Sequence, residues 1–329
     1  MPNMEDIAEI AGVSVSTVSK AINNKSDINE QTQKKILEIA EAYNYKPKNQ
    51  QLQDTGNIGV IFCHESHPVS LNPFYSRVLE GIEGEVAINN YNLLLNFFSQ
   101  KDKEKIPKIL DEKNVDGLIL VGVIEEQFLE MVKETNIPSV LVDPKITVSD
   151  FSEIFIDNEH GSFLATQYLI KNGHEEIGFI SGELDRRSFR QRYKGYQKSL
   201  KYNNLDIKDK YIKTGGLEEG YKHTEELLQL DNPPTAIFAV NDINAIYGIK
   251  AAKKNGVQVP DDLSFIGFDD IDMAKMSTPP LTTIRVYKEE MGSIAVRQLL
   301  KALNGDVNNQ TNTILPIKLI ERESVKEIQ

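Results

Sequence analysis

Apolar side chains in the first fifty residues recur at three- and four-residue intervals, the spacing of a buried helical stripe. In MEDIAEIAGVSVSTVSKAIN, residues 4–23, the residues Ile7, Ala8, Ile10 and Ala11 predict the inner face of one helix, and Val18, Ala21 and Ile22 that of a second. Gly12 suits the left-handed conformation that ends a helix, and Ser14 suits the N-cap of the next. This is the pattern of a helix-turn-helix. The second helix, from about Val15 to Asn23, turns Val15, Ser16, Thr17, Ser19, Lys20 and Asn23 outward. Small polar groups with one cation can lie in a major groove; the competing reading is a packed helical hairpin with a solvated face. A third helix is predicted from about Glu30 to Tyr43, capped by Asn29 and burying Ile36, Leu37, Ile39, Ala40 and Tyr43. Pro47 closes it, and KPKNQQLQDTGN, polar apart from Leu52, reads as a linker.

From Asn57 onward the texture changes to short apolar runs alternating with amphipathic helices. The expected strands are 58–63, 92–97, 116–121, 138–142, 153–157, 176–181, 235–240 and 263–268. Nearly continuous apolar strands are buried on both faces, as in a parallel sheet covered by helices. Helices are expected at 74–89, 161–172, 189–203, 241–255 and 288–303, giving a doubly wound α/β body. Nearly 270 residues exceeds what one such sheet commonly uses, so two lobes with a cleft are expected. Ligands in these sheets bind beyond the C-terminal strand ends. Those exits offer carboxylates at Asp143, Asp157, Asp242 and Asp269, amides at Asn72, Asn158 and Asn241, an arginine cluster, and aromatic faces at Phe74, Phe189 and Phe268. Directional hydrogen-bonding pairs with an apolar wall suit a sugar or another small polyol. Asp242 reads rather as the N-cap of its helix.

At 329 residues the chain suits two or three domains of about 100–200 residues each. No apolar run is long enough to span a bilayer, and the acidic start MPNMEDIAEIAG is unlike a secretory signal, so a cytoplasmic protein is expected. Cys63 is the only cysteine, which excludes an intrachain disulfide. The net charge of −12 argues against non-specific coating of nucleic acid. No arginine precedes Arg77, so DNA contact by the N-terminal segment would rest on a few lysines and on doubling by dimerisation. IGVIFC is not followed by a GxGxxG or Walker lysine, and no Ser-His-Asp or Cys-His order stands out. No catalytic residue, cofactor or metal is therefore expected, and His64 and His67 read as loop residues.

Taken together, DIAEIAGVSVSTVSKAIN, YNYKP, NPFY, GIE at 81–83, IDNEHG, KNGHEEIGFISG, RYKGYQKSL, PTAIFAVND, GVQVPDDLSFIGFDD and PPLTTI resemble the lac repressor (LacI/GalR) family of bacterial regulators over nearly the whole chain. The resemblance implies an N-terminal all-α helix-turn-helix DNA-binding domain and an α/β, periplasmic-binding-protein-like body of two doubly wound lobes. It divides the chain into a head at 1–46, a linker at 47–57 and a body at 58–329. Lobe 1 would hold about 58–157 and 285–316, and lobe 2 about 158–284 and 317–329. Val15, Ser16 and Lys20 match base-facing positions, and Thr17, Ser19 and Asn23 match positions near phosphates. The family's minor-groove leucine has its counterpart in Leu52, although the linker is several residues shorter than usual. Effector contacts carried over by position are Asn72, Phe74, Asp143, Asp157, Asn158, Arg192, Asn241 and Asp269. Arg187 and Arg190 read as solvated charges, or with Arg192 as a fork for a phosphate or carboxylate.

The implied activity is sequence-specific transcriptional regulation, as a repressor of carbohydrate-utilisation genes. The partners would be double-stranded operator DNA, a sugar or sugar-phosphate effector and a second copy of the chain, with no membrane. Two other readings stay open: a cytoplasmic sugar-binding receptor without a DNA role, and a catabolite-control regulator with a phosphocarrier protein as corepressor.

Overall fold

The computed structural model describes residues 4–22, 29–43, 55–64, 72–99, 107–112, 114–146, 148, 150–216, 219–305 and 310–328. They fall into two compact units, Met1–Gly56 and Asn57–Gln329. The first contains α1 (Met4–Ala11), α2 (Val15–Ile22) and α3 (Glu30–Ala42). Gly12 ends α1 at φ 72°, and the Ser14 hydroxyl accepts from the Thr17 N–H at 3.1 Å to start α2. Ile7, Ala8, Ala11, Val18, Ala21 and Ile36 form the small core. Two side chains from α3 serve the carbonyls that helix ends leave unpaired: Lys35 Nζ donates to Ala11 O at 3.0 Å and Gln33 Nε2 to Ala21 O at 3.3 Å. Three expected core residues face outward, Ile10 (44% exposed), Leu37 (45%) and Tyr43 (51%). At about 100° per residue, Ala8 and Ala11 fall to one side of Ile7 and Ile10 to the other. In α3 the stripe runs through Ile36 and Ala40, and Tyr43 lies beyond the helix end.

The second unit begins with β1 (Asn57–His64), α4 (Pro73–Ile88), β2 (Asn92–Ser99), α5 (Lys108–Asp111), β3 (Gly117–Gly122), α6 (Glu126–Glu134), β4 (Ser139–Val142) and β5 (Ser152–Ile156). There follow α7 (Asn158–Lys171), β6 (Ile177–Gly182), α8 (Arg187–Tyr202), β7 (Ile212–Gly215), α9 (Gly220–Leu228), β8 (Ala236–Ala239), α10 (Asp242–Lys254) and β9 (Ser264–Asp269). Last come α11 (Asp272–Met276), β10 (Thr282–Val286), α12 (Lys288–Leu303), β11 (Asn312–Leu315) and β12 (Ile317–Ile320). One sheet has the order β11-β5-β4-β3-β1-β2, the other β12-β10-β9-β8-β6-β7. Each is the base of one lobe. Among the described residues all strand pairs are parallel except β10 with β12. The chain passes between lobes three times, from β5 to α7, from β10 to α12 and from β11 to β12.

Strands β1 and β3 are largely apolar because both faces are covered: Val60 and Phe62 of β1 enter one core cluster and Ile61 and Cys63 another. Strands β7, β10, β11 and β12 lie outside the expected set. Three of them are sheet edges of four residues with few buried positions, so they carry little apolar signal. In lobe 1, α4 and α12 cross at glycines. A Cβ on Gly81 would stand 1.9 Å from Glu289 O, and one on Gly292 2.1 Å from Val78 O. Gly81→Ala is therefore expected to force the helices apart and cost about 1–3 kcal/mol, as overpacked cores do. Urea unfolding of the variant at neutral pH checks this, while Gly84→Ala, mid-helix with open space at its Cβ, should stabilise by about 0.5–1 kcal/mol.

Candidate functional site

Between the lobes the chain buries a guanidinium. Arg192, on α8, is 4% exposed. Its Nε donates to Asn158 Oδ1 at 2.8 Å and its Nη1 to Val240 O at 2.6 Å, while Nη2 pairs with Asp269 Oδ1 at 3.1 Å. Its Cζ lies 3.7 Å from the centroid of the Phe268 ring. Each partner comes from a different strand exit: Asn158 after β5, Val240 after β8, Asp269 at the end of β9. Asn158 is buried in turn, with Nδ2 donating to Gln191 Oε1 at 3.3 Å.

Facing this group from lobe 1 is Asp143, at the exit of β4, whose Oδ2 accepts from the Tyr75 hydroxyl at 3.1 Å. Burial raises the Asp143 carboxyl above its ordinary range despite the fields of Arg192, Arg186 and Arg187. Burial likewise raises Asp269, against the pull of Arg192 and Lys288. Both acids have left-handed backbones, φ 51° at Asp143 and φ 110° at Asp269, as does Asp270 at 51°. The other non-glycine residues of this kind among those described are asparagines: Asn90, Asn136 and Asn204. Strained aspartates at strand exits mark a site. Several buried polar atoms here have no hydrogen-bond partner: Ser181 Oγ at the end of β6, Arg186 Nε, and Asp269 Oδ1, which Arg192 approaches without an aligned N–H. Ser181, Arg186 and Tyr75 escaped the sequence reading. Tyr75 could have been found in NPFY, next to Phe74.

Of the eight effector residues expected, Asp143, Asn158, Arg192 and Asp269 are thus brought together. Asn72 is exposed and caps α4, accepting from the Phe74 and Tyr75 N–H groups at 3.0 and 3.4 Å. Phe74 is buried edge-on against Tyr75, with centroids 5.2 Å apart. Asp157 is exposed and caps α7 through the His160 N–H at 3.0 Å, beside an open groove lined also by Phe163, Gln191 and Lys198. Asn241 caps α10, accepting from the Asn244 N–H at 2.9 Å. That corrects the role expected of Asp242, which lies one residue on and fully buried. It accepts from Thr283 Oγ1 at 2.5 Å and the Ile271 N–H at 2.8 Å, and burial, with Asp269 adding, raises it well above the usual carboxylate range. The arginine fork is not assembled either. Arg187 pairs with Glu153 at 2.8 Å, and Arg190 donates to Leu184 O and Asp185 O at 3.3 and 3.2 Å.

In the helical unit, Val15 is 41% exposed, Ser16 is exposed and Thr17 half-buried. The Ser14 hydroxyl lies 2.8 Å from both the Ser16 and Thr17 hydroxyls. Ser19 and Lys20 belong to α2, but their side chains lie outside the described residues, as do Asn23, Leu52 and the side chains of His64 and His67. Among the described residues no three His, Cys, Asp or Glu side chains are grouped for a metal ion, and no helix is long and apolar enough to cross a membrane.

A family profile described as "Bacterial regulatory proteins, lacI family" matches residues 3–48, and a "Periplasmic binding protein-like domain" profile matches 166–325. The HTH-type transcriptional repressor PurR of Aliivibrio salmonicida is 33% identical over 338 residues, covering 100% of both chains. This chain belongs to the lacI family of bacterial regulatory proteins. Among solved structures, a transcriptional regulator CelR–cellobiose complex superimposes with a TM-score of 0.77 at 25% identity, covering 98% of this chain and 100% of the other. A lac repressor dimer bound to operator and the anti-inducer ONPF gives 0.73 at 26% identity, covering 99% of each. The lacI-family assignment makes the helix-turn-helix a DNA-binding element and the chain a transcriptional regulator.

The raised Asp143 gives this lacI-family body a pH signature. A carboxyl that holds its proton more tightly when folded contributes stability in acid, and that contribution is lost as pH rises through the raised folded value. Asp143→Asn keeps an acceptor for Tyr75 and removes the charge. It is expected to stabilise the ligand-free protein against urea at pH 7, with the gain shrinking toward pH 4; a loss of stability at pH 7 would contradict the assignment.

Proposed function

We propose that this lacI-family regulator is a repressor that binds operator DNA as a homodimer and releases or holds it according to a small, hydroxyl-rich effector seated at Arg192. The head is assigned to residues 1–46, the linker to 47–57 and the body to 58–329. The protein acts in the cytoplasm, on DNA, and its chemistry is binding without turnover. The observation carrying this reading is the Arg192 constellation. A guanidinium stacked on Phe268 and fixed on all three nitrogens supplies a flat, charged wall, while Ser181 and Arg186 present unpartnered polar atoms. Hydroxyls, which donate and accept, suit that mixture. With Arg187 and Arg190 occupied elsewhere, a sugar fits better than a sugar phosphate. The cellobiose in the CelR complex and the operator in the lac repressor complex are consistent with both halves of the reading.

Base contacts are assigned to Val15, Ser16 and Lys20 and phosphate contacts to Thr17, Ser19 and Asn23, with Leu52 as a minor-groove wedge. Ser16→Ala combined with Lys20→Ala is expected to weaken binding of the full-length protein to its own promoter DNA by roughly tenfold or more in a mobility-shift assay, a loss of about 1.4 kcal/mol or more. Unchanged binding would overturn the assignment of the recognition helix. A thermal-shift screen of sugars and sugar phosphates tests the cleft: a ligand at about 100 times its Kd stabilises by about 2.7 kcal/mol. Arg192→Ala should abolish the shift produced by the sugar that binds.

A further inference from the structure

Arg187, passed over by the effector site, joins the two lobes. It opens α8 in lobe 2, and its Nη1 donates to Oε2 of Glu153 at 2.8 Å. Glu153 lies on β5 of lobe 1 and is fully buried. Its other oxygen accepts from the Val148 N–H at 2.6 Å, so one carboxylate is gripped by its own lobe and by the opposite one. The Arg187 guanidinium also lies 4.3 Å from the Phe155 ring centroid, again in lobe 1. Its backbone N–H, one of those a helix start leaves unpaired, donates across the gap to Lys145 O at 3.1 Å. Lys145 Nζ returns the contact, pairing with Asp185 of lobe 2 at 2.6 Å. At another strand exit Arg77 of α4 pairs with Asp272 of α11, again joining the lobes, through side chains 39% and 59% exposed. Exposed pairs are screened by salt and buried ones far less, so the Arg187–Glu153 pair differs in kind from the Arg77–Asp272 pair.

The geometry points to an inter-lobe clasp, centred on Arg187 and Glu153, that holds the body closed before any effector enters. Opening the lobes removes the carboxylate's partner, the cation's aromatic face and the Arg187 amide's acceptor together. The clasp therefore opens as a unit and sets the resting state from which an effector works. It is independent of the effector's identity.

Hydrogen exchange of the full-length, effector-free and DNA-free protein tests this, because the Arg187 amide is protected across the gap only while the lobes are closed. In the wild type that amide is expected to exchange slowly, in low and in high salt. Glu153→Gln and Arg187→Gln should each speed it by roughly tenfold or more, leaving the α10 amides of Ala251 and Ala252 protected as a check on folding. Arg187→Gln supplies the variant at the less buried partner, and Arg187→Lys, which keeps the charge but not the planar fork, should fall between. Free exchange at Arg187 in the wild type, or unchanged protection in the Gln variants, would overturn the clasp. Neither outcome depends on sugar binding, so failure here is distinct from failure of the effector assignment.

Discussion

A guanidinium cannot shed its charge at any pH a protein meets, so burying Arg192 obliges the surrounding chain to answer it. The answer comes from several strand exits at once: an amide from Asn158, a carbonyl from Val240, a carboxylate from Asp269 and a ring from Phe268. Removing the Asp269 carboxylate leaves the buried guanidinium short of its counter-ion, which typically costs about 3–5 kcal/mol when the pair is fully enclosed. That penalty keeps the ends of β8 and β9 and the start of α7 in register. The shape of this face of the cleft thus follows from one buried cation.

Much of this was legible in the residues, and the reasons are physical. Central strands such as β3, with all six residues buried, read clearly because they are apolar on both faces, whereas β10, also interior, buries Thr282 and Thr283 and carries a weaker apolar signal. The helix-turn-helix read clearly because Gly12 and Ser14 are chosen for backbone conformation and capping, which are local properties. The edge strands β7, β11 and β12 were illegible because an edge asks little of a side chain. Ile10 and Leu37 misled because a bundle with so few buried positions uses a stripe narrower than the apolar residues available.

Within the cleft the chemistry of a residue was easier to read than its job. Asp, Asn and Arg at strand exits announced a polar site, but amides and carboxylates also cap helices, and the sequence does not say which. Asn241 caps and Asp242 is buried among Thr283 and the Ile271 N–H, although both sit beside Val240. The same ambiguity hid Arg187. On its helix it is one of several cations; only the approach of β5 from the other lobe gives it Glu153 and Phe155 as partners. Long-range pairing of this kind leaves no mark at short sequence spacing.

The cleft is also where the protein stores free energy. Asp143 and Asp269 adopt left-handed backbones, each costing on the order of 1–3 kcal/mol, and both carboxyls are pushed toward protonation by burial. A fold optimised for stability alone would relax these positions. Their persistence makes sense if a bound molecule supplies hydrogen bonds that offset burial of the ionised form, since such bonds stabilise carboxylates. Coupling between effector and DNA sites in regulators is typically about 1–3 kcal/mol, comparable to the strain at a single one of these aspartates. On the proposed function, an effector that relieves part of this cost at the two strand exits would bias the balance between a clasped and an open body.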